Sequence, residues 1–163
     1  MEKGEFIEII TKNQNLLYKV INSYCSHPES RRDLEQEILL QIWKSLKRFD
    51  DSVKITTWIY KVALNTAISF YRKENKRIDK PLDLDHSVFI LPDSEYDPRT
   101  DEEIRILYKV IDRLSRMDKA LMLLYLDNYK QKDIAEIIGI SESNVATKIS
   151  RLKKFLKEQF RNH

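Results

Sequence analysis

QKDIAEIIGISESNVATKISRLKKF, residues 131–155, decides how this chain is read. Ile134, Ala135, Ile137 and Ile138 form a short helical face, and Gly139 follows it. Val145, Ile149, Leu152 and Leu156 then recur at helical spacing, so a second helix turns one stripe inward. Gly139 is one of only two glycines in the chain. A glycine just past a helix end supplies the left-handed backbone that a turn there requires. Ser141 reads as an N-cap, its hydroxyl open to the N–H groups two or three residues on. Small Ala135 lets the two helices approach closely. The stretch predicts helix, tight turn, helix.

What remains for solvent on the second helix is Ser143, Asn144, Ala146, Thr147, Lys148, Ser150, Arg151, Lys153 and Lys154. Short hydroxyl and amide groups come first and long cations later. A helix in the DNA major groove reads bases with its N-terminal part and holds phosphates with its flanks. The plain alternative is a solvated basic helix in an ordinary bundle. Turn chemistry and charge placement are independent signals, and together they favour DNA binding.

The whole chain has 163 residues, enough for one medium domain or two small ones. Hydrophobic residues make up 42%, enough for a core, and two glycines with four prolines predict long helices and no sheet. The net charge of +3 is unevenly spread. Residues 79–103 hold nine acidic and two basic side chains, a local −7, so the rest carries +10. Two basic blocks are separated by an acidic strap. Cys25 is the one cysteine, so no internal disulfide forms and nothing points to secretion; it is read as a small buried side chain. His27, His86 and His163 have no metal-ligand spacing, and neither metal nor cofactor is expected. The N-terminus lacks a signal-peptide core, and the longest apolar run, residues 120–126, is too short to cross a bilayer. A cytoplasmic protein without membrane insertion is expected.

Phe6, Ile9, Ile10, Leu16, Leu17, Val20, Ile21 and Tyr24 predict one helix over residues 5–24. Pro28 breaks it, and Ser30 is a plausible cap for a second helix over 31–47. That helix buries Leu34, Ile38, Ile42 and Leu46, with Trp43 at the margin. Its other face carries Asp33, Glu35, Gln36, Glu37 and Gln41. Early carboxylates favour the helix dipole. Paired carboxylates also occur in acid–base catalysis, but no nucleophile, metal ligand or glycine-rich loop accompanies them, so no enzyme is expected. A protein-docking face is the sharper reading.

Residues 49–57 lack helical period and read as a loop. A third helix follows over 56–74. Trp58, Ile59, Val62, Ala63 and Thr66 form its inward stripe, widened by Tyr60, Leu64, Ala67, Ile68 and Tyr71. Asn65 needs a reason inside a good helix: either a buried amide satisfies a neighbouring loop, or a polar group is aimed at a nucleobase. Lys54, Lys61, Arg72, Lys73, Lys76 and Arg77 face a single acid, Glu74, over residues 54–77. A loop beside a basic helix with aromatics suits single-stranded nucleic acid.

DLEQEILLQIWKSLKRF at 33–49, TTWIYKVALNTAISFYRKENKR at 56–77, a linker and the helix-turn-helix stand in this order. Together they resemble the extracytoplasmic-function group of bacterial sigma factors, within the sigma-70 family, over nearly the whole chain. The Asp-Leu-x-Gln-Glu and Thr-Trp-Ile-Tyr-x-Val-Ala-x-Asn runs are the specific part, since many regulators share the C-terminal half. The resemblance implies an all-α chain: a region 2-like domain at 1–77, a linker at 78–100 and a region 4-like helix-turn-helix domain at 101–163. It implies docking on core RNA polymerase through Asp33, Gln36 and Glu37. It implies capture of a flipped base of the minus-10 promoter element by Asp50, Asp51, Ser52, Val53 and Lys54, with Asn65 beside the pocket and Arg72 and Lys73 near its upstream edge. It implies reading of the minus-35 element by Ser143, Asn144, Ala146, Thr147, Lys148 and Arg151. Promoter DNA is then a partner, and an anti-sigma factor the inhibitory one. Two positions depart from the family. Ala146 stands where many members carry Arg or Lys, which leaves one fewer bidentate donor for guanine. Ser52-Val53 stands where a glycine is frequent.

The linker holds Pro81, Pro92 and Pro98. Composition alone makes it an acidic tether, whereas the family reading threads it through polymerase channels; Val88, Phe89, Ile90 and Leu91 are apolar enough for some of it to pack. Beyond it, Ile104, Leu107, Tyr108, Ile111 and Leu114 line one helix, and Leu121, Leu124 and Tyr125 the next after Ser115. Leu121, Met122 and Leu123 cannot all face inward on one amphipathic helix, which leaves room for an exposed apolar strip. The rival to a promoter-specificity subunit is an autonomous helix-turn-helix regulator with an N-terminal helical sensing domain. That domain needs a pocket or a modifiable site, and the sequence offers neither.

Overall fold

The computed structural model describes residues 2–25, 27–73 and 102–162, with side chains of the second stretch as far as Phe70. Among them the chain forms eight α-helices and no strand. It divides into two compact units, Met1–Asp93 and Ser94–His163. The 78–100 linker and its apolar run at 88–91 lie outside the described residues.

The first unit contains α1 (Lys3–Lys12), α2 (Gln14–Tyr24), α3 (Pro28–Ser45), a 3-10 turn (Leu46–Arg48) and α4 (Ile55–Lys73). The single helix expected over 5–24 is two helices. Asn13 interrupts it, with φ −109° and ψ 17°. Its amide explains the break: Nδ2 donates back to the Ile9 carbonyl at 2.8 Å, which competes with the helical ladder. Pro28 does not merely end a helix; it begins the next at a position where its missing N–H costs nothing. Ser30 lies inside α3, so it is not the cap.

Leu34, Ile38, Ile42 and Leu46 are buried as the period requires, and Phe6 meets Trp43 edge-on at 5.0 Å. Such side chains each stabilise the fold by about 1.5–3 kcal/mol on full burial. α4 packs on α2 and α3. Its buried line is Ile59, Tyr60, Ala63, Leu64, Ala67 and Phe70. Trp58, Val62 and Thr66 are only half-buried. The inward face is therefore rotated from the expected stripe toward the residues expected to widen it.

The second unit contains α5 (Glu102–Asp112), α6 (Arg116–Leu126), α7 (Gln131–Ile138) and α8 (Glu142–Arg161). Ser115 caps α6 by accepting from the Asp118 N–H at 3.2 Å. Ala120, Leu121, Met122, Leu123 and Leu124 are all buried. No exposed apolar strip forms there, because α5, α7 and α8 all pack on α6 and cover it on several sides. Asn128 takes a left-handed φ of 64° just past α6, a conformation Asn tolerates better than most residues.

Gly139 ends α7 with φ 84° and ψ 36°, and apart from its chain neighbours nothing lies within 4 Å of where a Cβ would stand. A side chain there meets only the backbone penalty. Gly139→Ala should therefore destabilise the second unit by about 1–2 kcal/mol, and Gly139→Asn by less. Urea unfolding followed on the amide signals of α7 and α8 measures both. An unchanged midpoint for the alanine variant would mean the turn is not left-handed in solution.

Candidate nucleic-acid interface

The turn before α8 fixes how that helix is presented. The Gly139 and Ile140 N–H groups both donate to the Ala135 carbonyl, at 2.8 and 3.2 Å. Ser141 Oγ accepts from the Asn144 N–H at 3.2 Å, and the Ser141 carbonyl from the Val145 N–H at 3.0 Å. Val145, Ile149 and Leu152 are buried. With that stripe inward, Ser143, Asn144, Thr147, Ser150, Arg151 and Lys154 are exposed, while Ala146 and Lys148 are half-buried.

Asn144, Thr147 and Arg151 share one side of α8, spaced i, i+3 and i+7. The Asn144 amide can both donate and accept. The Thr147 hydroxyl donates to the Ser143 carbonyl at 3.1 Å, so its oxygen is left to accept and its methyl to meet a thymine methyl. The cations differ from one another. Lys148 Nζ lies 4.0 Å from Asp118 Oδ1 on α6, and Lys153 Nζ sits 4.8 Å from the centre of the Tyr125 ring. Arg151 has no ion-pair partner among the described residues. The sequence did not single out Asp118 or gave Tyr125 only a packing role. Asp118 stands three residues after Ser115, and that spacing reads only as a helix start.

In the first unit, residues 50–54 enter α4. Asp50 Oδ1 accepts from the Ser52 N–H at 3.0 Å, and Asp51 takes a left-handed φ of 61°. The positive φ falls on Asp51, not on Ser52 or Val53, so the missing glycine leaves neither of those strained. Asp50, Asp51, Ser52, Val53 and Lys54 are all exposed, Val53 at 37%. Phe49 and Trp58 flank the loop with ring centres 5.4 Å apart.

Asn65 is exposed. The buried-amide alternative for it is therefore not what the fold shows. It shares an outward row with Lys61 and, allowing for the helix start, Lys54. About 15 Å of helical rise separates it from the start of α4. The loop and Asn65 thus mark two ends of a row, not two walls of one pocket. The α4 backbone carries Arg72 and Lys73 at its end; their side chains lie outside the described residues.

On α3, Asp33 is exposed and Gln36 and Glu37 are half-buried, one side of the helix at i, i+3 and i+4. Glu37 Oε1 accepts from Gln41 Nε2 at 3.0 Å. Glu35 departs from the expected polar face and is buried, at 4% exposure. Among the described residues no cluster of His, Cys, Asp or Glu could hold a metal, and no helix is long and apolar enough to cross a membrane.

Comparison with known proteins bears on both units. The family model for sigma-70 region 2 matches residues 9–77, and that for sigma-70 region 4 matches 104–156. The first match covers the half where a sensing domain would have to lie. RNA polymerase sigma factor SigV of Bacillus subtilis is 27% identical over 158 residues, covering 96% of this chain and 92% of that protein. The extracytoplasmic-function sigma factor SigM of the same organism is 28% identical over 152 residues, 92% of this chain and 91% of its own. Among solved structures, the sigma factor RpoE, crystallised with the anti-sigma factor NepR from Bartonella quintana, shares the fold. Its TM-score is 0.71 at 18% identity, covering 96% of this chain and 97% of that one.

The Asp50 carboxyl is held below the usual carboxylate range, first by the Ser52 side chain and then by the Ser52 N–H. Folding lowers this pKa, so the turn's stabilisation is complete above the unfolded value and is lost as pH falls through the folded one. The Ser52 amide resonance should accordingly titrate at a pH below the ordinary aspartate range. Titration within that range would show that the turn is absent in solution.

Proposed function

This chain belongs to the extracytoplasmic-function group of the sigma-70 family, and from that premise we propose that it directs core RNA polymerase to its promoters and opens them. In this reading α3 docks on polymerase through Asp33, Gln36 and Glu37. α8 reads the minus-35 element through Ser143, Asn144, Ala146, Thr147, Lys148 and Arg151. The 50–54 loop, Asn65, Arg72 and Lys73 hold the minus-10 element as single strand. The protein works in the cytoplasm, where its polymerase is. An anti-sigma factor restrains it, a partner supported by the one bound to the RpoE structure.

The exposed row Asn144, Thr147 and Arg151 carries the reading. It joins an amide, a hydroxyl with a methyl and a guanidinium on one side of a capped helix, the chemistries that meet adenine, thymine and guanine edges. Lys148 takes the lesser part, since it must leave Asp118 before it meets DNA. Run-off transcription with bacterial core polymerase on a randomised promoter library tests the whole proposal; no sequence-selective transcript above core polymerase alone would end it.

Two variants test its parts. Arg151→Ala should cost about 1–3 kcal/mol and relax preference at one minus-35 position. A uniform loss over all single-base variants, with a flatter salt dependence, would make Arg151 a phosphate contact instead. Asp33→Ala should change thermal stability by no more than about 0.5 kcal/mol, because Asp33 is exposed, and adding Glu37→Ala should cost about 0.5–1.5 kcal/mol more for the lost Gln41 bond, so the double variant still folds. Polymerase capture in a pull-down should fall sharply. Undiminished capture by the folded variant would make this face ordinary surface.

A further inference from the structure

Asn13 is 8% exposed and stands where α1 gives way to α2. Its Nδ2 donates to the Ile9 carbonyl at 2.8 Å, and its Oδ1 accepts from Thr56 Oγ1 at 3.0 Å. A carbonyl can only accept, so the Ile9 contact decides which end of the amide is nitrogen and turns the oxygen to Thr56. Thr56 is the second residue of α4. The bond therefore joins positions 43 apart in sequence and ends two residues past the 50–54 loop. α4's first turn closes on the loop itself, because the Lys54 carbonyl accepts from the Trp58 N–H at 3.0 Å.

The entrance of the loop is held separately. The Phe49 N–H donates to the Leu46 carbonyl at 3.2 Å, and the Phe49 ring lies against Trp58. Between the two anchors the Asp50–Ser52 turn sets the path. We propose that the Asn13–Thr56 bond is the exit anchor, a latch through which the α1–α2 break positions the 50–54 loop for promoter opening. Asn13 is then a positioning residue that touches no DNA. The inference rests on the minus-10 role proposed for that loop. Its physical basis is preorganisation: a loop already fixed at both ends gives up less freedom when an unstacked base enters. The break in the first helix also acquires a reason. A continuous helix keeps the Ile9 carbonyl for the backbone N–H of residue 13 and has no cause to hold the side-chain amide there.

Thr56→Val replaces the hydroxyl with a methyl of the same shape, and Thr56→Ser keeps the hydroxyl. Thr56 is exposed, so both variants fold. Each is assembled with bacterial core polymerase on a promoter selected from a randomised library. Permanganate reactivity is read on the duplex and on the same template carrying a pre-melted bubble over the minus-10 region. Loss of one net hydrogen bond predicts about three- to tenfold less opening of the duplex by Thr56→Val. Closed-promoter binding should be unchanged, opening largely recovered on the bubble, and Thr56→Ser should match the parent protein. Parental opening by Thr56→Val overturns the latch. So does an equal loss on duplex and bubble, or a serine variant as poor as the valine one. Failure of the parent protein itself to open any selected promoter would instead overturn the minus-10 role beneath it.

Discussion

A helix that buries one stripe has no choice about where its other residues point. In α8 that constraint begins with Ile134 and Ile137 of α7 and with Val145, Ile149 and Leu152, all buried in the same unit. The left-handed Gly139 sets the angle between the helices, and Ser141 sets where the second one starts. Once those are fixed, Asn144, Thr147 and Arg151 are outward together. Their alignment is a by-product of packing, and it survives any surface substitution that leaves the stripe intact. α3 and α4 obey the same rule: Leu34, Ile38 and Ile42 inward leave Asp33 outward, and Ile59, Ala63 and Ala67 inward leave Lys61 and Asn65 outward.

Electrostatics then sorts the outward groups. A basic helix counted from sequence treats its cations as equivalent. In the folded unit Lys148 faces Asp118, and Lys153 lies over Tyr125. Partly exposed contacts of this kind are worth about 0–1 kcal/mol, so in the proposed role neither lysine is withdrawn from DNA, but each gives up a contact to reach it. Arg151 gives up none among the described residues. Its planar fork also suits a guanine edge or a phosphate better than an ammonium does.

The parts of the fold that were legible in sequence are those fixed by local period and by residues with one dominant use. Val145, Ile149 and Leu152 repeat at 3.6, and Gly139 has a conformation few others share. The helix-turn-helix followed from them. Three features were illegible because the competing term is tertiary. Asn13 looks like one of five consecutive polar residues, 11–15, until its partner Thr56, far along the chain, is in view. The run 120–124 exceeds what one amphipathic stripe can bury, and only the three helices around α6 show that all of it is covered. Glu35 has the sequence context of a solvent-facing carboxylate, yet α3 turns it inward. Pro28 was legible as punctuation but not in sense, since a proline that stops one helix also starts another well.

In the role proposed for the first unit, the spacing along α4 limits how a melted strand is held. Taking a base out of the stack costs a few kcal/mol, and one net hydrogen bond returns only about 0.5–1.5 kcal/mol. A single contact at the 50–54 loop therefore does not offset opening by itself. The outward row from Lys54 through Lys61 to Asn65 extends about 15 Å, so it spans more than one nucleotide of a strand. In that role, a strand laid on the row meets the charges of Lys54 and Lys61 and has base contacts at its two ends. Two separated contacts also exert a register constraint that one pocket lacks: a base seated in the loop fixes which later nucleotide arrives at Asn65. Sequence preference in such a site depends on the rigidity of the stretch between the contacts. That stretch is α4 itself, pinned along its length by Ile59, Ala63 and Ala67.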